Sequence, residues 1–511
     1  MYYPSVEMVE NLYADYNLIP IRMTFRADHE TPISIYQRLQ CNGSFLLESV
    51  EGGSRWGRYS FIGLNPLLTF QSKKGHTKIQ HRGGQLVEKQ GNPILLLQEA
   101  LASYRSPKLP DAPRFTGGAV GYFGFDILTY FEELPVCKED DLQMDDVKFM
   151  FADSVVAFDH LKQEIQVIEH LHVKPEDTLE DIRLQYEDCC ARIRKLAHRI
   201  RNSEQRSKEL YMMPNEYDPI EVKSNVSRDE FIGMVDTAKE YIAAGDIFQV
   251  VLSQRFEIDT PPDPLDVYRV LRSLNPSPYM YYLQVSDDEK LVGTSPELLV
   301  RVEDGKVENR PIAGTRKRGK DEEEDQALIK DLLADEKERA EHHMLVDLGR
   351  NDIGKVCRYG SVQVEQLMEV ELYSHVMHIV SNVTGQLHEE KDSFDALVSC
   401  FPAGTVSGAP KLRAMEIIAE LENTARNAYA GAIGYFSFTG NMDSCITIRT
   451  IIFKNGKAYI QAGAGIVADS VPEMEFEETE NKAKALIRAI QIAKQIKRLE
   501  EDEEYVSGTT K

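Results

Sequence analysis

The sequence has few cysteines, no long apolar run and no excess of positive charge. Its seven cysteines among 511 residues are an odd, scattered number, and no C-x-x-C pair occurs. This pattern disfavours a disulfide framework or a structural zinc site, and we expect reduced thiols in a cytoplasmic protein. No apolar run reaches the ~20 residues of a membrane span. The acidic, polar N-terminus has no signal-peptide core.

The charge balance limits the partners of the chain. The formal net charge is −24, which repels nucleic acid and anionic membrane surfaces. An anionic substrate would need a local cation, supplied either by clustered Arg and Lys side chains or by a metal ion.

The length and pattern of the chain favour more than one domain. Residues 1–205 form a predicted N-terminal domain, mainly of strands, and residues 206–224, which lack periodicity, a linker. Residues 225–495 form a second domain of alternating strands and helices, and residues 496–511 a frayed acidic tail.

Local signals place several elements. Pro93 is typical of the first position of a helix, and apolar spacing predicts a long helix over 175–202. Ser227 and Glu230 form a capping-box pattern before a helix that ends at Gly245. The sequence Gly118-Ala-Val-Gly-Tyr-Phe recurs, with Ile for Val, from Gly431, and each glycine pair indicates close backbone approach inside a sheet.

The segment from Gln461 to Lys482 carries the first chemical signal. A short apolar run, KAYIQA, is predicted to end in a glycine-containing turn. Ser470 and Pro472 then open a helix with Glu475 and Glu478 in its first two turns. Glutamates three apart share one helix face, and backbone donors at a helix N-terminus favour anions. The combination suits a hard cation that holds an anionic substrate.

A second pair of the same kind is formed by Glu338 and Glu341. An exposed acidic helix face is the alternative interpretation, but the sequence becomes apolar directly after the pair, which predicts a buried helix end. Because Mg²⁺ takes only one or two carboxylates, the remaining glutamates would act on protons or support the ligands.

Two near matches to nucleotide motifs fail. Gly314 to Asp321 resembles a phosphate loop, but aspartate replaces the hydroxyl residue that binds magnesium. Gly463 to Ala468 resembles a dinucleotide fingerprint, but the helix starts too late and its first turns are acidic.

Arg449, in a predicted apolar strand, is expected to bind a carboxylate. His378 is either a core histidine or part of a site.

Eight motifs occur in order between about residues 225 and 492, and together they resemble the chorismate-utilising enzymes. They are SPELLV (295–300), PIAGTRKRG (311–319), AEHHMLVDLGRND (340–352), VMHIVSNV (376–383), AGTVSGAPKLRAMEII (403–418), GAIGYF (431–436), CITIRT (445–450) and AGAGIVADSVPEMEFEETENKA (462–483). LLESVEGGSRWGRYSFIG (46–63) is similar to the anthranilate synthase large-subunit branch. One departure is Glu480, where many relatives have arginine.

The resemblance implies an α+β fold: a large two-part sandwich of mostly antiparallel sheets with helices packed outside. It also assigns roles by position. Glu341 and Glu478 would bind Mg²⁺, with Glu338 and Glu475 in support. The remaining assignments cover proton transfer and substrate contacts: Glu297, His378 and Thr405 as catalytic residues, and Tyr429, Arg449, Gly463, Gly465 and Lys482 as substrate-binding residues.

Two positions distinguish the branches of the family. Isochorismate and salicylate synthases carry a lysine base where this chain has Gln249. Aminodeoxychorismate synthases carry a nucleophilic lysine where this chain has Ala313. With neither lysine, ammonia itself would attack chorismate, giving anthranilate and pyruvate in the first step of tryptophan biosynthesis. Aminodeoxychorismate synthase remains an alternative, as does a non-catalytic subunit that senses tryptophan.

The resemblance also implies two partners besides chorismate and ammonia. No cysteine lies in a G-x-C-x-G elbow, so ammonia would come from a separate glutamine amidotransferase subunit. Tryptophan would inhibit by binding two segments, which contain Glu48, Ser49, Pro278, Tyr279 and Met280. Spacing alone favours a strand end and a proline-rich turn for these two segments.

Overall fold

The structure, a computed structural model, describes residues 2–49, 57–135, 139–202, 218–372 and 376–508, with side chains up to residue 499. Residues 206–217 of the predicted linker and 509–511 of the predicted tail lie outside the described residues. So do residues 50–56 of the N-terminal motif.

The strands before the linker are β1 (Tyr2–Tyr3), β2 (Leu18–Arg26), β3 (Ser44–Glu48), β4 (Tyr59–Leu64), β5 (Leu68–Lys73), β6 (His76–His81), β7 (Leu86–Gln90), β8 (Gly118–Phe123), β9 (Val147–Ala152), β10 (Ser154–Asp159) and β11 (Glu164–His172). Those after residue 217 are β12 (Lys223–Ser224), β13 (Gln249–Asp259), β14 (Tyr279–Gln284), β15 (Glu289–Ser295), β16 (Leu298–Glu303), β17 (Lys306–Asn309), β18 (Ile312–Lys317), β19 (Gln363–Leu372), β20 (Val376–Gln386), β21 (Gly408–Ala409), β22 (Ala432–Ser437), β23 (Met442–Ile446), β24 (Thr450–Lys454) and β25 (Lys457–Ile466).

The helices are α1 (Val6–Leu12), α2 (Pro32–Leu39), α3 (Pro93–Ala102), α4 (Leu179–Asn202), α5 (Arg228–Ala244), α6 (Pro264–Leu274), α7 (Glu322–Ala334), α8 (Glu336–Gly354), α9 (Ser393–Cys400), α10 (Lys411–Leu421) and α11 (Pro472–Gly508), with short 3₁₀ turns at Phe125–Tyr130 and Gly404–Val406.

These strands form two large antiparallel sheets. The first has the order β1-β2-β11-β10-β4-β3-β14-β15-β24-β25-β13-β12, with β21 also against β13. The second has the order β18-β20-β17-β16-β23-β22-β8-β9-β5-β6-β7, with β19 also against β20. A buried cluster with residues from both sheets, including Phe61, Tyr281 and Ile433, lies between them. The predicted sandwich of antiparallel sheets is confirmed.

Helices cover the outer faces of the sandwich. One outer cluster packs α2, α4, α6 and α11 against the first sheet. The other joins α3, α5, α9 and α10 to strands of both sheets. No helix within the described ranges is long and apolar enough to cross a membrane.

Each sheet contains strands from before and after the predicted linker. In the first sheet β3 pairs with β14, and in the second β8 pairs with β22. The last pair joins the two copies of the repeated motif, with Gly121 opposite Gly434. A Cβ at Gly121 would lie 1.9 Å from the Lys148 carbonyl oxygen, so the repeat marks close backbone approach, as expected.

Local signals predict several element ends correctly. Proline occupies the start of α3, and its cap Asn92 accepts from the Ile94 N–H. The capping box of Ser227 and Glu230 opens α5, and Gly245 ends it at φ 86°.

Three local expectations differ from the structure. β25 continues through Gly463 and Gly465 to Ile466, so the glycines lie in a strand and the turn follows them. Lys223 of the predicted linker pairs in β12 with Glu257. The backbone of α11 stays helical to Gly508 where we expected a frayed tail from residue 496, and Ile496 itself is buried.

Candidate active site

A cavity of about 820 Å³ lies where the C-terminal end of β25 meets α8 and α11. Its lining includes all twelve residues expected to act in catalysis, substrate binding or metal binding: Glu297, Glu338, Glu341, His378, Thr405, Tyr429, Arg449, Gly463, Gly465, Glu475, Glu478 and Lys482. Residues up to 185 positions apart, from Glu297 to Lys482, therefore converge on one space. The volume is sufficient for a small organic substrate.

Two glycines keep one wall of the cavity open. A Cβ at Gly463 would lie 2.8 Å from the Tyr429 hydroxyl oxygen, and one at Gly465 would lie 2.7 Å from Gln249 Nε2. Any larger residue would therefore intrude on the side chains that line the wall. After the strand, Ser470 Oγ accepts from the Val467 N–H at 3.0 Å and closes the turn into α11.

The two glutamate pairs face each other from α8 and α11. Burial raises the pKa of Glu341, and the charges of Glu338 and Glu478 raise it further. Burial and Glu478 likewise raise the pKa of Glu475. Because like charges oppose ionisation, this cluster favours a bound cation. Lys482 supplies part of the positive charge that this cluster favours, since its Nζ lies 2.7 Å from Glu478 Oε1. The same Nζ donates to the Gly463 carbonyl oxygen at 3.0 Å.

The donor set fits Mg²⁺ in chemistry, although the described residues contain no group of three or more His, Cys, Asp or Glu side chains arranged as a ready metal centre. Glu341 and Glu478 are carboxylates of the kind that hold a hard cation together with water and substrate oxygens. Glu338 is partly engaged elsewhere, because Arg316 Nη1 lies 3.4 Å from its Oε1. A supporting role suits Glu338 better than direct ligation.

Glu297 is placed to exchange a proton near neutral pH. Burial raises its pKa to about 7, against the smaller opposing effects of the Thr405 hydrogen bond and the Lys482 charge. The Thr405 hydroxyl donates to Glu297 Oε1 at 2.9 Å. A carboxyl group with such a pKa is available in both protonation states.

Nδ1 of His378 lies close to two neighbouring groups. Its Nδ1 lies 3.2 Å from the Gly314 carbonyl oxygen and 3.0 Å from Thr315 Oγ1. Burial lowers the pKa of His378, and the Arg449 charge lowers it further, so the ring is neutral at pH 7. Donation from Nδ1 to the carbonyl leaves Nε2 as the basic nitrogen.

Arg449 lies between β23 and β24 rather than within a strand, which corrects the expectation from its apolar neighbours. Its φ of 51° is uncommon for a residue other than glycine. Among the described residues, the guanidinium group has no hydrogen-bond or ion-pair partner, and burial lowers its pKa. Beside it, burial raises the pKa of Tyr429 to about 12, so the phenol stays neutral. An anionic group of a substrate would complete this environment.

The two positions that distinguish branches of the family also line the cavity. Gln249 and Ala313 both face it. An amide cannot accept a proton as a base and an alanine cannot attack, so neither position supplies an activated nucleophile.

A second, smaller pocket of about 60 Å³ contains the five residues expected to bind tryptophan, from Glu48 to Met280. Glu48 accepts from the Tyr268 hydroxyl at 2.7 Å and pairs with Arg272 at 3.1 Å, while burial raises the pKa of Glu48. Within the described part of the chain, the buried Ser49 hydroxyl has no hydrogen-bond partner.

Sequence reasoning missed three charged residues of this second pocket. Arg114, Arg301 and Asp443 line it, and Arg301 Nε lies 3.2 Å from Asp443 Oδ2. Tyr279 donates its hydroxyl to Asp443 Oδ1 at 2.8 Å. The available signal was the presence of isolated charges in apolar strands, which are costly to bury without a partner.

Comparisons with known proteins agree with this geometry. Residues 44–488 match the family described as chorismate binding enzyme. Anthranilate synthase component 1 from Acetivibrio thermocellus is 52% identical over 500 residues, 97% of this chain and 100% of that protein. Its counterpart from Aquifex aeolicus is 48% identical over 493 residues, 96% of this chain and 98% of that protein.

Solved structures give the same result. The crystal structure of anthranilate synthase component I from Streptococcus pneumoniae covers 91% of this chain and 99% of its own, with TM-score 0.75 and 40% identity. The menaquinone-specific isochorismate synthase from Escherichia coli covers 95% of this chain and 99% of its own, with TM-score 0.70 and 20% identity, which shows a shared fold alone.

The chain therefore belongs to the chorismate-binding enzymes. Both full-length relatives described above are anthranilate synthase component 1.

Proposed function

We propose that this chain is the large subunit of an anthranilate synthase, which converts chorismate and ammonia into anthranilate and pyruvate at the start of tryptophan biosynthesis. The observation that carries the proposal is the main cavity, where two glutamate pairs, Glu297 and Arg449 converge without a lysine at Gln249 or Ala313. Relatives of the same name span nearly the whole chain.

Chorismate carries two carboxylates, and the cavity offers two places for them. Arg449 with Tyr429 suits the enolpyruvyl carboxylate, because a buried guanidinium gains most from a charged partner. The ring carboxylate suits the wall at Gly463 and Gly465, near Glu341 and Glu478. Mg²⁺ held by these two glutamates would neutralise and orient that carboxylate as a Lewis acid.

Proton transfer follows from the raised pKa of Glu297 and the lowered pKa of His378. Protonated Glu297 gives its proton to the ring hydroxyl as ammonia adds and the hydroxyl leaves as water. Neutral His378 lines the same cavity and can accept a proton. Removal of a ring proton with loss of pyruvate then makes the ring aromatic.

A separate glutamine amidotransferase subunit supplies the ammonia in this proposal. The naming of the relatives as component 1 supports it, and none of the seven cysteines lies in a nucleophile elbow. The described cysteines are free thiols, in keeping with a reducing cytoplasm.

The subunit proposal has a direct test. With chorismate, Mg²⁺ and ammonium, the purified chain should form fluorescent anthranilate; with glutamine it should form none until an amidotransferase subunit is added. Anthranilate formation from glutamine by the purified chain alone would contradict the need for that subunit.

Tryptophan inhibition is a further part of the proposal, and the second pocket supports it. The Ser49 hydroxyl, which has no hydrogen-bond partner among the described residues, and the buried Glu48 carboxyl offer groups for an amino acid. The pocket must widen to admit an indole ring, since about 60 Å³ holds only a few water-sized molecules. Pro278 lines both this pocket and the main cavity, which gives a physical connection between them.

Thermal unfolding tests this regulatory site. Tryptophan should raise Tm, because a ligand that binds only the folded state stabilises it. Ser49→Phe should abolish the shift, whereas Ser103→Phe, at an exposed site on another part of the chain, should preserve it. The absence of a shift in the unmodified chain would contradict the site.

A further inference from the structure

A buried ion pair lies behind the wall of the main cavity, in the segment that joins α10 to β22. Glu422 is the C-cap residue of α10, and Arg426 follows four positions later. The side chains of Arg426 and Glu422 are 0% and 4% exposed. Arg426 Nη2 donates to Glu422 Oε1 at 2.6 Å, and Arg426 Nε donates to Glu422 Oε2 at 2.8 Å. None of the roles assigned above uses this pair.

Arg426 also joins two segments that line the main cavity. Its Nη1 donates to the Val406 carbonyl oxygen at 2.7 Å, and its Nη2 donates to the Val251 carbonyl oxygen at 2.7 Å. Val251 belongs to β13, Val406 directly follows Thr405 in the 3₁₀ turn, and both residues line the cavity. The guanidinium group therefore holds the turn that carries Thr405 against β13.

The same guanidinium group packs against Tyr429. Its Cζ lies 5.6 Å from the centre of the Tyr429 ring and 4.6 Å from the centre of the Phe125 ring. A cation within about 6 Å of an aromatic ring is attracted to the ring face. The Tyr429 N–H also donates to the Arg426 carbonyl oxygen at 3.0 Å. Arg426 thus supports the ring that is expected to contact the enolpyruvyl carboxylate.

Glu422 extends this network to β25. Its Oε1 accepts from both the N–H and the hydroxyl of Ser253 at 2.8 Å. Gln461 Nε2 donates to Ser253 Oγ at 2.9 Å, and Gln461 lines the cavity. Buried charges are costly unless they are paired and hydrogen-bonded. Here the compensating bonds lead to three segments that line the cavity: β13, the 3₁₀ turn and β25.

We propose that the Glu422–Arg426 ion pair positions the groups that act on chorismate. The pair holds the Thr405 hydroxyl on Glu297, to which it donates at 2.9 Å, and it holds the Tyr429 ring beside the enolpyruvyl carboxylate. Neither member of the pair touches the substrate, so both act through other residues. This inference rests on the proposed anthranilate synthase activity and adds two positioning residues to it.

Steady-state kinetics of the full chain test the pair. Glu422→Gln combined with Arg426→Met removes both charges together, so neither is left buried without its partner. The turn keeps its bond from the Val251 N–H to the Ser407 carbonyl oxygen, 2.9 Å long, so this double variant should unfold cooperatively on heating. Its kcat should fall about 10–100-fold, because a small misplacement of catalytic groups is costly. Its chorismate KM should rise, since the Tyr429 ring loses its support.

The pH dependence of kcat separates positioning from stability. Burial raises the pKa of Glu297 to about 7, whereas the Thr405 hydrogen bond and the Lys482 charge lower it. When the turn shifts, this hydrogen bond weakens and the pKa of Glu297 rises. The fall of kcat with rising pH should therefore begin at a higher pH in the double variant. A smaller fraction of folded protein would lower kcat without moving this part of the profile.

The Glu30–Arg38 ion pair provides a matched control. Arg38 Nη1 lies 2.7 Å from Glu30 Oε1 and also donates to a backbone carbonyl oxygen, that of Ile200. These three residues are outside the described lining of the main cavity. Glu30→Gln combined with Arg38→Met should change neither kcat, nor the chorismate KM, nor the pH profile.

Two results would overturn the positioning role. One is a folded double variant at Glu422 and Arg426 whose kcat or pH profile is unchanged, and the other is an equal effect in the control pair. Failure of the proposed function looks different, because the unmodified chain would then form no anthranilate from ammonium.

Arg426→Lys decides the question if the double variant does not fold. Lysine keeps the positive charge, but its single ammonium group cannot reproduce the forked bonds to Glu422 and to both carbonyl oxygens. The same shift of the pH profile supports the proposal, and an unchanged profile contradicts it. If Arg426→Lys also fails to fold, the pair serves stability rather than positioning, and the proposal is wrong.

Discussion

Glu341 is the residue on which the proposed metal site most depends. The neighbouring carboxylates that raise its pKa also favour a cation beside it. Glu341→Gln should weaken Mg²⁺ binding and activity about 10–100-fold or more, the range seen even for residues that only support a metal. Because protons compete with the metal, Mg²⁺ affinity should also rise with pH.

A titration of activity and binding heat against Mg²⁺ measures this effect. Glu480→Gln is the matched control, since it removes the same charge from α11 at an exposed position outside the cavity lining. Equal loss in both variants would show that net charge, rather than ligation, controls Mg²⁺ binding.

The raised pKa of Glu297 predicts a specific pH dependence. Only the protonated carboxyl can donate to the ring hydroxyl, so kcat should fall as pH rises through about 7. Glu297→Gln should lower kcat about 10²–10⁴-fold, the usual contribution of general acid catalysis, and remove this limb of the profile. A pH–rate profile of the unmodified chain that stays flat from about pH 6 to about pH 9 would contradict the assignment.

At the scale of elements, a substitution in β25 tests whether the close packing of this strand is needed to bind chorismate. Gly463→Ala should place its methyl group 2.9 Å from the Leu252 carbonyl oxygen and against Tyr429. Because the Leu252 backbone can move away only at a cost in free energy, we expect the folded state to be destabilised by about 1–3 kcal/mol. We also expect a higher chorismate KM.

Thermal unfolding and kinetics measure both effects. Gly233→Ala is the control, because nothing lies within 4 Å of its added Cβ and alanine in a helix stabilises by about 0.4–1 kcal/mol. A Gly463→Ala chain with unchanged Tm and chorismate KM would show that this wall is not closely packed against substrate.

Element ends were predictable where their causes are local. Proline at the start of α3 and the capping box of α5 act within one helical turn, so the sequence reveals them. β25 runs through its glycines because pairing with β13 outweighs their low strand propensity. The position of Arg449 could not be predicted from its apolar neighbours. It lies between β23 and β24, and the end of each strand depends on its pairing with other strands of the two sheets.

At the scale of the whole molecule, the two halves share both sheets. The division at residues 206–224 stays a prediction from sequence, but β14 and β22 take partners from the N-terminal half. A fragment of residues 218–511 would expose two long strand edges, which favour aggregation. We therefore expect this fragment to lack a cooperative unfolding transition.

Calorimetry of the fragment and of the full chain provides the comparison. As a control, a chain cleaved within residues 206–217 should keep both halves associated and retain a single transition. A cooperative transition in the isolated fragment would instead support independently folding domains.

The main site was largely predictable because its residues lie in ordered, specific motifs. Position in a motif identified Glu341, Glu478, Arg449 and Glu297 without any knowledge of the fold. The Arg301–Asp443 pair of the second pocket was not predictable, since its meaning depends on two strands that become neighbours only in the folded sheet.

In the proposed reaction, ammonia is the nucleophile that attacks chorismate in this cavity. The most direct measurement incubates the purified chain with chorismate, Mg²⁺ and ¹⁵N-labelled ammonium, and identifies the products by mass spectrometry. We expect labelled anthranilate with an equal amount of pyruvate. Isochorismate, or an aminated product without pyruvate, would contradict it.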